Sequence, residues 1–261
     1  MRASMFVAAA LVAAPFFGSA VQAAKIPAPI AAAVADSSRP EADTGRDAAR
    51  KPAEMLAFAG VKPGEKIVEL LPGGGYFTRL LSMTVGPKGH VYALGFPPRP
   101  PRPGSSAPAM AMAMANPLDM LAKDPHYPNI TVLTMAALDS DPPGVPTADL
   151  VWTSDNYHDL HNGPTADIAG FNKHVFSVLK PGGVFVVIDH VAAAGHGTSD
   201  TSTLHRIDPA AVKTEVEAAG FKFAGSSDAA HNPDDPHTAA VRDASIRFHT
   251  DEFALKFVKP K

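Results

Sequence analysis

Residues 61–95, VKPGEKIVELLPGGGYFTRLLSMTVGPKGHVYALG, decide the fold. Ile67 to Leu71 is a short apolar run, Pro72 to Gly75 a turn, Tyr76 to Thr84 an apolar stretch at helical spacing, and His90 to Leu94 a second apolar run. Strand, turn, helix and strand in that order predict two parallel strands joined by a right-handed crossover, because a parallel pair needs a connection about as long as a helix. Upstream, Pro52 suits the first turn of a helix, and Met55, Leu56 and Phe58 give it an apolar face that stops at Gly60. Residues 24–45 are rich in Ala, Pro and polar residues and read as an N-terminal arm with one short helix near Ile30 to Ala35, ahead of a domain at 46–261.

Residues 96–128 interrupt this pattern and hold nine of the chain's 26 prolines. FPPRPPRPGSSAP supports neither a helix nor an inner strand, and the AMAMAMANPLDMLAKD that follows allows one or two helical turns. A lid and a plain surface insertion both fit, the plain one slightly better because long insertions cost little loop entropy. Regular structure resumes with NITVLTM (129–135), ADLVWTSDN (148–156), a helix over 170–179, and GGVFVVIDHV (182–191), the most apolar strand and so a central one. DPAAVKTEVEAAGF (208–221) is a helix capped by Asp208 and ended at Gly220. FKFAGSS (221–227) and FALKFVKPK (253–261) are an antiparallel pair, with HNPDDPHTAA (231–240) between them as a solvated loop. The expectation is an α/β fold: an open, doubly wound, mostly parallel sheet with a C-terminal antiparallel hairpin.

Composition narrows the functional classes. Apolar residues make up 46% of the 261 and charged residues 19%, the balance of a folded globular chain and not of a disordered or multi-span one. With 23 basic against 26 acidic side chains there is no electrostatic footprint for nucleic acid, which leaves a small molecule as the expected partner. The absence of cysteine excludes disulfides, thiolate metal sites and thiol nucleophiles. After Arg2 the uncharged run MFVAAALVAAPFFGSA, with Val21 and Ala23 at the −3 and −1 positions of a cleavage site, reads as a signal peptide at 1–23. A periplasmic or secreted location without stable membrane insertion follows from that reading.

VELLPGGGYFT after the first strand, ADLVWTSDNYHDL at the fourth, VLKPGGVFVVID at the fifth and the terminal hairpin together resemble the class I S-adenosylmethionine-dependent methyltransferases. RDAARKP, PGGGY, NYHDLH and HRIDPAAVKTEVEAAGF more narrowly resemble exported bacterial predicted methyltransferases. The resemblance implies a Rossmann-like methyltransferase fold and S-adenosylmethionine as cofactor, held by Glu69, Leu71, Pro72, Gly73, Gly75, Tyr76 and Asn156, with Glu69 at its amino end. Two departures stand out. In the family pattern acidic-x-Gly-x-Gly-x-Gly the first glycine position is Leu71, so a bulky side chain stands where contact between cofactor and backbone is expected. The carboxylate that normally ends the second strand falls near Gly95, with Asp119 or Asp124 of the insertion as available substitutes.

In an open parallel sheet the site lies beyond the carboxyl ends of the central strands, which brings together Glu69, DNYHDLH (155–161) and IDHV (188–191). Asp155, His158, His190 and His161 are the candidate catalytic residues, with His158 and then His190 as general base, since imidazole exchanges protons near neutral pH. His158 and His161 share a face if a helix starts there. Asp155, His158, Asp189, His190, His196 and His205 are also types that ligate transition metals, but they form no fixed ligand motif, and no metal is expected. Arg46, Arg50 and Lys51 are either anion ligands or a solvated charged face. Besides methyl transfer, a repurposed exported fold remains open: a His/Asp-based hydrolase or lyase, with or without a metal, or a non-catalytic periplasmic binding protein.

Overall fold

The structure, a computed structural model, describes residues 25–95, 117–134, 147–163 and 166–261. The expected signal segment and most of the Pro-rich insertion lie outside them. Among the described residues no helix is long and apolar enough to cross a membrane. Seven strands form one sheet: β1 (Lys66–Leu70), β2 (His90–Gly95), β3 (Ile130–Thr134), β4 (Ala148–Ser154), β5 (Leu179–His190), β6 (Lys222–Ser227) and β7 (Glu252–Val258), in the order β3-β2-β1-β4-β5-β7-β6. The first five are mutually parallel, and β7 runs antiparallel to both β5 and β6. The chain reverses its order between β1 and β4, the place where open α/β sheets carry their sites.

Both faces of the sheet are covered, so its inner strands are apolar on both sides. On one face lie α1 (Ala28–Val34), α4 (Pro52–Ala59) and α5 (Tyr76–Val85), with the two single turns α2 (Glu41–Thr44) and α3 (Asp47–Arg50) between α1 and α4. Leu80, Leu81, Met55 and Leu56 are fully buried there with Trp152 of β4. On the other lie α7 (Ile168–Val178) and α8 (Pro209–Ala218), around Phe171, Val175, Val212 and Phe185. Ile30 and Ala33 of α1 are buried in the first core, so the segment that reads as an arm packs onto the sheet through α5. Asp208 caps α8 by accepting from the Ala210 amide at 2.8 Å, and it also accepts from the Gly195 amide at 2.8 Å.

Two local readings need correction. The insertion's last part forms a short helix, α6 (Pro117–Leu121), whose Leu118 and Leu121 are buried, so this part joins the core instead of lying on the surface. The His- and Asp-rich stretch at 231–240 is anchored as well: Asp235 is fully buried in an ion pair with the fully buried Arg206 at 2.8 Å. His231 and His237 each lie 2.9 Å from a carboxylate oxygen of Asp251. Burying an unpaired charge is costly, so the loop is held where its Asp235 can pair with Arg206.

Candidate functional site

The turn after β1 keeps the backbone that a glycine loop requires. Leu71 sits at φ 53°, Gly73 at 56° and Gly75 at 83°, all left-handed. Leu71 thus holds the conformation that glycine adopts freely, at a cost of order 1–3 kcal/mol. Its side chain packs against the core beneath α7 and α8, so it does not occupy the loop's open face as expected. The Gly75 amide closes the turn onto the Pro72 carbonyl at 2.9 Å, and Asn156 Nδ2 donates to the Leu71 carbonyl at 2.9 Å, tying the end of β4 to the turn. Space beside the glycines is unequal. Among the described residues a Cβ at Gly73 or Gly74 would meet nothing within 4 Å, whereas at Gly75 it would strike Leu121 Cδ2 at 2.6 Å. Gly75 is favoured by its left-handed φ of 83° and by the approach of α6.

Glu69, one residue before the end of β1, is 2% exposed, and its Oε2 is buried without a hydrogen-bond partner among the described residues. Burial disfavours the carboxylate and pushes its pKa up to about 7, although Thr78 and the charges of Arg50 and Arg79 favour ionisation. Tyr76 turns away from the turn's open face: its hydroxyl donates to Asp47 Oδ1 at 2.7 Å, and Arg46 and Arg50 lie over its ring at 4.8 and 4.6 Å.

Beyond β4, β5 and β7 a cleft of about 240 Å³ is lined by Arg50, Asp155, His190, Thr250 and Glu252, with Arg46, Arg242, Arg247 and Phe248 among its other walls. Because β7 is antiparallel, its first residue lies at the carboxyl edge of the parallel strands, and Glu252 pairs directly with His190. Arg50 reaches across from α3 to form an ion pair with Asp155 and stacks on Tyr76 and Phe77. It is 13% exposed and does not belong to a solvated face. Asp155 is at φ 58°, another left-handed residue without a glycine's freedom. Burial, reinforced by Asp155, raises Glu252 well above the ordinary carboxyl range. Burial lowers His190 below the usual imidazole value despite the pull of Asp155 and Asp189, so it is neutral at pH 7. His190 Nδ1 lies 2.9 Å from Thr250 Oγ1.

His158 is 2% exposed and does not line this cleft. It opens the 3₁₀ turn His158–His161, and Asp189 accepts from its backbone amide at 2.8 Å and from Nδ1 at 2.7 Å. Burial opposes its charged form, but the charge and hydrogen bond of Asp189 outweigh burial and raise its pKa. A 3₁₀ turn brings residues three apart nearly into line, yet the two rings take different partners: His158 turns to Asp189, and the His161 ring points toward Glu215 of α8, with Nε2 3.4 Å from Oε2. His196 is on the surface, paired with Asp200 at 2.8 Å. At the end of β2, Gly95 offers no carboxylate; Asp119 is exposed and Asp124 bonds its own neighbour His126.

No family model matches the chain, and no curated protein matches it. Solved structures do. A SAM-dependent methyltransferase from Aquifex aeolicus superposes with a TM-score of 0.56 at 18% identity, over 82% of this chain and 92% of that one. A chain in the complex of the Haloferax volcanii Trm112 methyltransferase activator with a methyltransferase gives 0.56 at 18%, over 89% and 97%. The fold is that of the class I S-adenosylmethionine-dependent methyltransferases. The cyclase SpnF shares it, with a TM-score of 0.55 at 16% identity over 84% and 81%, so the fold leaves the reaction open.

Glu252, Thr250 and the loop arginines escaped the sequence reading because they lie far along the chain from the strand ends they border. The polar TDE run at 250–252, immediately before an apolar strand expected to be antiparallel, was the available signal.

Proposed function

We propose that the chain is a methyltransferase that binds S-adenosylmethionine over the turn after β1 and methylates a small molecule held in the cleft between Arg50 and Glu252. The observation that carries this reading is Glu69: a buried carboxyl group with an unpartnered oxygen, beside a left-handed turn whose Gly73 and Gly74 faces are open. A buried carboxylate left unpaired is costly, and a cationic amino group is the partner that offsets this cost. The residues fit the amino end of the cofactor, with Glu69 as the partner for its ammonium. At the ribose end the described residues near Gly95 supply no carboxylate, so recognition is concentrated at β1.

When bound, S-adenosylmethionine supplies an electrophilic methyl group. The chain's own part is to position the acceptor and take its proton. His190, neutral and facing the cleft, accepts that proton, while Thr250 orients its ring. Arg50 and the rim residues Arg242 and Arg247 favour an acceptor carrying negative charge. Most of the rate comes from alignment of the acceptor in the cleft.

Calorimetry of the full chain with S-adenosylmethionine and S-adenosylhomocysteine tests the reading. Binding that weakens about ten- to a hundredfold in Glu69→Gln supports it, the loss expected for one charged hydrogen bond of about 1.5–3 kcal/mol. No heat at millimolar ligand rejects it. Export through the segment at 1–23 is part of the same proposal, and rests on the sequence; the N-terminal residue of the protein recovered from cells checks it.

A further inference from the structure

A second group of polar side chains lies beside the cleft, its His158 ring centroid 6.0 Å from that of His190. His158 Nε2 and His205 Nδ1 are 3.2 Å apart, and Asp159 Oδ1 is 3.2 Å from the latter and 3.4 Å from the former. Proton accounting makes this triangle unusual. A carboxylate only accepts, so the proton that His158 shares with Asp189 is on Nδ1, and in the neutral ring Nε2 presents a lone pair. Asp159 only accepts, and His205 Nδ1 brings one proton at most. Two acceptors, His158 Nε2 and Asp159 Oδ1, thus share at most one donor, and with the His205 proton on Nε2 all three atoms present lone pairs to one another.

The spacing matches what a metal ion imposes. With ligand bonds of about 2.0–2.1 Å, neighbouring ligands of a tetrahedral zinc lie about 3.3–3.4 Å apart. Asp189 is fully buried and bonded to the ring nitrogen opposite the triangle, the outer partner that fixes tautomer and orientation in ligating histidines. His205 is held at φ 56°, a strained backbone, with its Nδ1 within 3.2 Å of both His158 Nε2 and Asp159 Oδ1. Asp159 and His205 are 44% and 27% exposed, which leaves the ion a path from solvent.

We propose that His158, Asp159 and His205 form a binding site for a divalent transition-metal ion of the zinc class, with two imidazole nitrogens, one carboxylate oxygen and a fourth position open to water. The site ties the turn after β4 to the loop before α8, beside the cleft and independently of S-adenosylmethionine. The other triangle of similar size, Asp155, His190 and Glu252, is a poor rival because the Arg50 guanidinium already compensates Asp155.

Tag-free, metal-stripped full chain titrated with zinc by calorimetry, and with cobalt(II) by visible spectroscopy, tests the proposal. The expected result is one equivalent per chain, with the strong visible bands of four-coordinate cobalt. His205→Asn and Asp159→Asn should each weaken binding at least as much as loss of an outer partner, about 10–100-fold. His196→Asn, on the same loop but paired only with Asp200, should leave it unchanged. Both ligand variants alter exposed or half-exposed side chains, and matching thermal melts of the metal-free proteins show that they fold. Zinc binding no tighter than millimolar in the wild type, or equal binding in His205→Asn, overturns the proposal.

Discussion

Replacing Glu69 by Gln keeps shape and removes charge at the one carboxyl group that the β1 turn buries without a full set of partners. Its pKa stands at about 7 against an ordinary 4.5. A raised acid pKa means that the native state holds the proton more tightly than the unfolded chain does. Stability is therefore fully present below about pH 4.5 and is lost as pH rises toward and through 7. The 2.5-unit gap corresponds to about 3 kcal/mol at 1.36 kcal/mol per unit. Near pH 4 Glu69→Gln should match the wild type, and at pH 8 it should be more stable by up to about 3 kcal/mol. The assay is urea unfolding of both proteins from pH 4 to 8 with the slope m held common. Taking the difference between the two proteins cancels His158, His190 and Glu252, which titrate in both. A difference that stays flat across the range refutes the account of Glu69. If the variant gains stability while losing S-adenosylmethionine, the carboxyl group is retained for binding at the expense of the fold.

Three further outcomes follow. Arg206→Met leaves Asp235 buried without its partner and should cost about 3–5 kcal/mol, whereas adding Asp235→Leu should recover part of the loss; an additive double-mutant cycle would contradict the pairing. Asp208→Ala removes the cap of α8 and its bond to the Gly195 amide, and should lower stability by about 1–2 kcal/mol in urea at unchanged m. Once an acceptor is identified, His190→Gln should lower turnover about 10²–10⁴-fold with cofactor affinity intact. The wild-type rate should fall on the acid side only below the usual imidazole pKa, because burial lowers His190, and a rate that falls already above it would assign the proton transfer elsewhere.

Much of the fold was legible because it rests on local pattern. Apolar runs of strand length, Pro52 and Gly60 at the ends of α4, and the Asp208 cap each act within a few residues, so β1, α5, β2 and α8 fall within a residue or two of where the pattern puts them. The left-handed turn was legible at Gly73 and Gly75. It was not at Leu71, where tertiary packing of the leucine overrides its preference for negative φ. His158 and His161 show the same limit: spacing of three suggested a shared face, and tertiary contacts send one ring to Asp189 and the other to Glu215.

The sequence by itself determined the strand and helix order, the switch point between β1 and β4, and the turn that bears Glu69, since these depend on periodicity, caps and glycine. Only the tertiary structure decided who faces whom. It turned Arg50 inward onto Asp155, set Glu252 beside His190 through an antiparallel strand, closed Arg206 on Asp235, and drew His205 up to His158 and Asp159. Pairings across some 30 to 105 residues leave no periodic trace. They arise because a buried charge or polar atom must find its partner wherever the folded chain brings one within about 3 Å.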